Sequence, residues 1–288
     1  MDIALTLFGF GVIAGGVAAV PAIGMTLMYG SSRFLNFAYG EWMTLGAFLT
    51  FTLSGFLPLA MAIALAIVAV AVYGPLVNRL VFRPLASRHG LVLLVTSLGL
   101  SFIMQNAIRA IWGVEIRRLD TPAALNQGLR LGAFRFTALQ LVILAGAVVV
   151  MAIIGFFLLR TDLGLKVRAA AENPDLARTS GVPVERISAI SWAIASALAA
   201  LGGIMVALTA SFTPSLGFTL LLVVASAMIL GGLGSPVGAV AGAVVLGVAM
   251  ELSTLVITPA LKPAVAFAVL VIVLMIRPAG LFGRIAMT

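Results

Sequence analysis

The chain has 288 residues, of which 62% are hydrophobic and 9% are charged, and its formal net charge is +8. Soluble domains are about half apolar and about a quarter charged, so this composition excludes a soluble globular protein. The mean hydropathy of +1.23 also excludes an intrinsically disordered chain and a nucleic-acid-binding protein. It predicts an all-α integral membrane protein in contact with lipid.

Apolar segments follow one another along the whole chain, and a helix needs about 20 apolar residues to cross the hydrocarbon core. The best count is nine spans, within a range of eight to ten, because several segments are short or broken by Gly and Pro. The first is interpreted as a retained membrane helix rather than a signal peptide, since Asp2 stands where a basic region is expected. No soluble domain or linker separates the segments, so residues 1–288 are predicted to form one transmembrane domain. The predicted spans are 4–28, 38–56, 58–78, 90–112, 137–159, 187–210, 216–233, 236–257 and 262–276.

The Lys and Arg residues indicate the orientation, because cytoplasmic loops of membrane proteins are enriched in them. The connections near 29–37, 79–89 and 160–186, together with the tail after 276, hold eleven. The alternate connections, 113–136 and 258–262, hold five. The richer side is therefore predicted to be cytoplasmic, which places the C-terminus inside and, with nine spans, the N-terminus outside.

The connection 160–186 contains a strong helix start at Asn173-Pro174-Asp175: an N-cap residue, a proline at the first helical position and an acid in the first turn. A glycine at 181 ends the pattern, which predicts a short helix over 174–180. So short a helix is unstable alone in water and has to pack against something. Two interpretations stay open: a connector resting on lipid headgroups, or a docking element for a cytoplasmic partner.

The glycine-rich run 231–236, GGLGSP, has to interrupt the helix between two apolar segments. Exposed backbone at that depth is tolerated only when it is buried in protein or lines a wet cavity. Gly232 and Gly234 are therefore predicted to form a tight turn or gate, with a ligand cradle as the alternative. The breaks around 24–40 and 231–238 also leave inverted repeats as an open expectation. Glycines elsewhere at spacings of three to five residues favour close helix packing over a dedicated dimer motif.

Charged and polar residues are scarce within the spans, so each is a candidate for the translocation path or gate. Glu251 is predicted near the outer end of its span, where it can pair with Lys262 or Arg109. Glu41 is predicted at the inner interface near Arg33. A structural pairing is the main interpretation for both carboxylates, and a role in the path is the alternative. The remaining candidates are Asn36 and the polar side of segment 90–112, which carries Thr96, Ser97, Ser101, Gln105 and Arg109.

Several motifs together resemble the branched-chain amino acid permease family of ABC importers. Ala177-x3-Gly181, with Glu172 and Asp175 just upstream, is similar to the loop by which ABC permeases engage their ATPases. The run NFAYGEWMTLG at 36–46 is similar to a signature of the branched-chain family, although Tyr39 stands where histidine is frequent. The runs GGLGSPVGAVAGAVVLGVAME at 231–251 and RPAGLFG at 277–283 complete the resemblance, and the length fits the shorter of two paired permeases.

The resemblance implies an ABC-importer permease fold and a multi-pass subunit of the bacterial inner membrane. It implies four kinds of partner: a second homologous permease, two cytoplasmic ATPase subunits, an extracytoplasmic solute-binding protein and membrane lipid. It also implies a coupling loop at 160–186 in which Glu172, Pro174, Asp175, Ala177 and Gly181 contact the ATPase. The chain has no P-loop motif, and neither of its lysines, Lys166 and Lys262, follows a glycine-rich loop. No cofactor is therefore expected on this chain, and ATP and Mg²⁺ are expected on the partner ATPases.

Two other classes of function are weaker. An ion-coupled secondary transporter or channel needs buried ionisable groups as ion sites, and only Glu41 and Glu251 are available. It would also leave the helix at 174–180 unexplained. A membrane-embedded enzyme lacks candidates, because there is no cysteine and His89 is the single histidine. We therefore expect neither a catalytic residue nor a metal site.

Overall fold

The computed structural model describes residues 2–86, 88–122, 125, 127–131, 134–277 and 279–282. Within them the fold is a bundle of α-helices with one small β-hairpin, β1 (Gly128–Leu131) and β2 (Phe134–Thr137). A π-helical turn, Asn78–Phe82, and 3-10 turns at Arg83–Leu85 and Pro259–Leu261 lie in the connections. The helices are α1 (Asp2–Ser32), α2 (Tyr39–Ser54), α3 (Leu59–Val77), α4 (Gly90–Trp112), α5 (Ala138–Arg160), α6 (Asp162–Glu172), α7 (Pro174–Thr179), α8 (Val184–Thr209), α9 (Leu216–Gly231), α10 (Pro236–Ser253) and α11 (Lys262–Ile276).

Each of the nine predicted spans coincides with one helix, and α4 and α11 agree to the residue. Seven helices in the described part of the chain are long and apolar enough to cross a membrane. The other two, α2 and α9, have 16 residues each. A helix of that length is about 24 Å long, shorter than the roughly 30 Å hydrocarbon core. The prediction of about nine spans, some short or broken, is therefore consistent with the structure.

Both short helices begin inside the bundle, because each follows an irregular segment that runs inward from the end of the preceding helix. Residues 33–38 lead from α1 into α2, and 210–215 lead from α8 into α9. The two helix starts meet where Gly40 packs on Gly217 so closely that neither position has room for a Cβ atom. The Gly217 N–H also donates to Thr44 Oγ1 at 2.8 Å. Irregular backbone is tolerated at this depth because surrounding helices bury it.

The contacts between helices reveal an inverted repeat that relates α1–α4 to α8–α11. In the first unit α2 packs on α3 and α4, and in the second α9 packs on α10 and α11. Across the units α1 packs on α10 while α3 packs on α8. This pattern agrees with the expected repeat, but the break around 24–40 does not correspond to the one around 231–238. The break at 33–38 corresponds to 210–215, whereas the glycine turn after α9 corresponds to the turn after α2.

Glycines allow the closest helix contacts, as the sequence predicted. At Gly247 of α10 an added Cβ atom would overlap the backbone of Gly11 and Gly15 on α1. A similar contact occurs where Gly242 meets Ala227 of α9. Small residues favour such packing because inside lipid no hydrophobic force drives helices together.

Gly247→Leu is expected to prevent correct packing of α10 on α1, since overpacking a well-packed site costs about 1–3 kcal/mol or more. The measurement is the yield of monodisperse protein and its thermal unfolding in detergent. Gly99→Leu on α4 is the matched control, because nothing lies within 4 Å of a Cβ atom placed there. Equal behaviour of the two variants would contradict the packing seen between α1 and α10.

Two elements fall where the sequence was interpreted as loop. The connection 113–136 contains most of the hairpin, and the start of 160–186 forms α6. Thr161 caps α6 by accepting a hydrogen bond from the Gly164 N–H at 3.0 Å. The hairpin and α6 lie at opposite ends of α5. We therefore call the hairpin end of the bundle the hairpin face and the α6–α7 end the loop face.

Candidate functional site

The short helix predicted in the loop is α7, which ends one residue earlier than expected. Asn173 caps it by accepting from the Leu176 N–H at 3.0 Å, and Pro174 occupies its first turn. Gly181 follows with a φ of +81°, the left-handed conformation that favours glycine. The Val182 N–H then donates to the Ala177 carbonyl at 3.0 Å. Every step of this capping is local, which explains why sequence predicted it.

One side of α7 is anchored and the other is presented to solvent. Ala177 is buried and belongs to a core cluster with Val167 of α6 and Ile187 of α8. Leu176, by contrast, is 64% exposed, and the Asp175 side chain is 89% exposed beside its ion-pair partner Arg178. Sequence reasoning did not single out Leu176. Its signal is a leucine in a polar loop, directly before the alanine that anchors the helix.

Arg33 connects this loop to the first helix break, a role that sequence reasoning missed. Its backbone has a φ of +57°, and its N–H donates to the Tyr29 carbonyl at 2.8 Å to end α1. Its guanidinium reaches the last turn of α6, where it donates to the carbonyls of Ala171 and, at 3.0 Å, Glu172. A cation at a helix C-terminus is favoured by the unpaired carbonyls there. Arg33 thus joins the end of α6 to the start of segment 33–38.

The first break is held by side chains of the NFAYGE motif. Asn36 is buried, and its Oδ1 accepts from the Ala38 N–H at 2.9 Å. The Tyr39 hydroxyl lies 2.8 Å from the Pro21 carbonyl of α1 and 3.1 Å from the Ala195 carbonyl of α8. In the structure Asn36 therefore stabilises the break, and Tyr39 ties the start of α2 to two long helices.

The Glu41 side chain, which was predicted near the inner interface beside Arg33, is fully buried between α2 and α4. The inward course of 33–38 carries the chain into the bundle before α2 begins. Glu41 Oε1 accepts from the Ser101 hydroxyl of α4 at 3.1 Å. The Ser97 hydroxyl accepts from the Phe37 N–H at 3.1 Å. The polar side of α4 therefore faces α2.

Gln105 lies one turn beyond Ser101 on α4 and is half-buried. Like the polar residues before it, it belongs to the polar side of this helix. Glu251 is not near this group. It lies at the end of α10, where the Lys262 Nζ donates to its Oε1 at 2.6 Å. Of the two partners considered from sequence, Lys262 is therefore the one in contact.

The glycine-rich run after α9 forms a tight turn on the loop face. Gly232 and Gly234 have φ values of +107° and +86°, and Ser235 caps α10 by accepting from the Gly238 N–H at 3.0 Å. The Leu281 N–H donates to the Leu230 carbonyl, which brings the C-terminal segment against this turn. The turn borders a cavity of about 760 Å³ that is also lined by the C-terminal end of α1 and by α6.

A second cavity, of about 410 Å³, lies between α1, α8, α9 and α10 toward the hairpin face. Its lining is mostly aliphatic, and Glu251 and Gln140 contribute polar groups to it. In the described part of the chain, no three His, Asp or Glu side chains come together in a way that could hold a metal ion. The arrangement offers buried polar contacts, two cavities and a surface helix.

A sequence profile of the family described as branched-chain amino acid transport system / permease component matches residues 7–274. The chain belongs to this permease family. It is similar to the high-affinity branched-chain amino acid transport system permease proteins LivH of Escherichia coli K12 and BraD of Pseudomonas aeruginosa. Each is 30% identical over 95% of this chain and 94% of the relative. A probable branched-chain amino acid transport permease protein LivH of Methanocaldococcus jannaschii is 28% identical over 80% of this chain and 74% of the relative.

Family membership and the long apolar helices both indicate a membrane transport protein. The permease is a multi-pass membrane transport subunit, and its family is one of transporters rather than enzymes. The matched region includes both helix breaks, the polar side of α4 and the loop with α7. The features described above therefore lie within the part of the chain that the family shares.

Proposed function

We propose that the permease carries branched-chain or related small amino acids into the cell across the bacterial inner membrane, driven by ATP hydrolysis on partner chains. The names of the relatives support the solute class. The observation that carries the ATP-driven mechanism is α7, a short capped helix anchored through Ala177 and presenting an exposed leucine. A secondary transporter has no need of such an element.

In this proposal α7 is the coupling helix, and it docks into a cytoplasmic ATPase subunit. Leu176 enters an apolar pocket of the ATPase, and Asp175 contributes charge at the edge. Binding energy at protein interfaces is concentrated in a few residues that fill well-packed pockets of the partner. A second, homologous permease supplies the matching helix, so that two ATPase subunits are engaged. ATP and Mg²⁺ are bound by those subunits, and this chain holds no cofactor.

The same proposal implies an orientation in the membrane. The loop face is cytoplasmic, together with the C-terminus, and the hairpin face is where an extracytoplasmic solute-binding protein delivers the amino acid. The excess of Lys and Arg in the loops on the α7 side supports this, since cytoplasmic loops carry such an excess.

The connection from α7 to the bundle supports a mechanical role. Movement of the ATPase shifts α7 and α6, and Arg33 transmits that shift to segment 33–38 and hence to the start of α2. The start of α2 packs on the start of α9 through Gly40 and Gly217, so both half-length helices respond together. Coupling of this kind requires two arrangements of the bundle that nucleotide and substrate bias in common.

The test is uptake of labelled leucine by liposomes that contain the permease, its partner permease and both ATPases, with the binding protein added outside. We expect uptake to require enclosed ATP and the binding protein, and to continue after ionophores have collapsed all ion gradients. Uphill uptake by the purified permease alone, driven by an ion gradient, would overturn the proposal.

A further inference from the structure

The cavity toward the hairpin face has the size and lining of a ligand site. Ligand pockets in proteins enclose about 300–1,000 Å³, and this cavity has a volume of about 410 Å³. Its walls are formed by side chains of α1, α8 and α9, among them Ile13, Val17, Val206 and Val223. A branched aliphatic group fits such walls, because it gains dispersion contacts without leaving a polar atom unpaired.

One end of this cavity carries a charged group, the Glu251 side chain. Lys262 does not itself line the cavity, but its Nζ lies 2.6 Å from the Glu251 Oε1. The two side chains are 17% and 29% exposed, so neither is sealed within the protein. Gln140 of α5 and Thr209 at the end of α8 add neutral hydrogen-bonding groups to the lining. Charged groups within membrane proteins are costly and usually face a functional cavity.

We propose that this cavity binds the zwitterion of the transported amino acid. The aliphatic side chain occupies the apolar walls, Glu251 accepts hydrogen bonds from the substrate ammonium, and Lys262 donates to the substrate carboxylate. The zwitterion replaces one ion pair with two, so every charge stays paired during binding, which avoids the cost of an isolated buried charge. This inference rests on the proposed function, which supplies an aliphatic amino acid as the solute.

The other plausible occupant is a phospholipid acyl chain, which also fits aliphatic walls. The polar end of the cavity favours the amino acid, because the charged ends of a zwitterion can pair with both Glu251 and Lys262, whereas an acyl chain offers no charge to either. Identification of the occupant is therefore part of the test.

The first variant is Ala14→Phe, which places a ring in the cavity from α1, where Ala14 lines it. We expect the rate of leucine uptake by the assembled transporter, measured with saturating binding protein, to fall about tenfold or more, because loss of about 1.4 kcal/mol of favourable contacts has that effect. Ala145→Phe on α5 is the matched control, since that alanine is exposed on the outside of the subunit and does not line the cavity. Folding of each variant is checked by gel filtration and thermal unfolding.

The second variant exchanges the charges, Glu251→Lys together with Lys262→Glu. The exchange keeps an ion pair between α10 and α11, so a purely structural pair predicts normal leucine uptake. A substrate-binding pair predicts a loss of about tenfold or more, because the ammonium then meets the wrong charge in a fixed cavity. Normal uptake by the exchanged variant would overturn the inference.

The outcomes separate this inference from the proposed function. If wild type takes up leucine and both variants, Ala14→Phe and the charge exchange, take it up equally well, the inference is contradicted. The proposed function is then unaffected. If the wild-type assembly takes up no leucine, the proposed function and the inference are both contradicted. Phospholipid that co-purifies with wild type and is lost from Ala14→Phe, with unchanged leucine uptake, identifies the cavity as a lipid site and also overturns the inference.

Discussion

Leu176→Asp is expected to abolish stable association with the ATPase subunits while the permease still folds and inserts. The Leu176 side chain is exposed and contributes little to the bundle, whereas a buried hot-spot residue at an interface contributes about 2 kcal/mol or more. That loss corresponds to an affinity about 30-fold lower. The measurement is co-purification of the ATPases with tagged permease, followed by binding in nanodiscs.

Leu163→Asp is the matched control for this variant. Leu163 is an exposed leucine on α6 of the same loop, and the same charge is introduced there. Its variant is expected to retain the ATPases. Co-purification of the ATPases with Leu176→Asp at normal yield would rule out α7 as the docking element.

Arg33→Asn is expected to separate ATP hydrolysis from transport. Asparagine accepts the left-handed backbone conformation at this position, but it is too short to reach the end of α6. Hydrogen bonds from a charged donor are worth about 1.5–3 kcal/mol, so the loss of these contacts is expected to lower leucine transported per ATP by about tenfold or more. ATPase binding and basal ATP hydrolysis are expected to persist, because α7 itself is untouched.

Lys166→Ala controls for the lost positive charge, since Lys166 is an exposed cation on α6. It is expected to leave transport per ATP unchanged. If Arg33→Asn also transports normally per ATP, the contact between Arg33 and α6 serves stability alone, and the path from α7 to α2 has to be sought elsewhere.

The features that sequence predicted well are those that depend on residues close together in the chain. The nine apolar segments follow from length and hydropathy, and each is a helix. The start of α7 follows from three adjacent residues, and its end follows from Gly181. The motifs around residues 36–46 and 231–251 were sufficient to suggest the family, which the sequence profile confirmed.

Features that depend on distant contacts were missed or misplaced. The burial of Glu41 between α2 and α4 was not predicted, because no local feature of the sequence shows that 33–38 is packed inside the bundle. Arg33 was counted only as a charge, since its partners on α6 are 138 and 139 residues away. The helix α6 and the hairpin were overlooked for a different reason. Their sequences are too polar or too short for a hydropathy pattern to identify them.

The sequence by itself determined that this protein is a membrane bundle with a capped helix in a basic loop, because hydropathy and capping act over a few neighbouring residues. Only the tertiary structure decided which breaks are equivalent, where Glu41 lies and which helices enclose the cavity beside Glu251. Those outcomes depend on where small residues allow two helices to pack closely, as Gly40 does with Gly217. The spacing of glycines indicates that a helix packs closely, but it does not identify which distant helix is the partner.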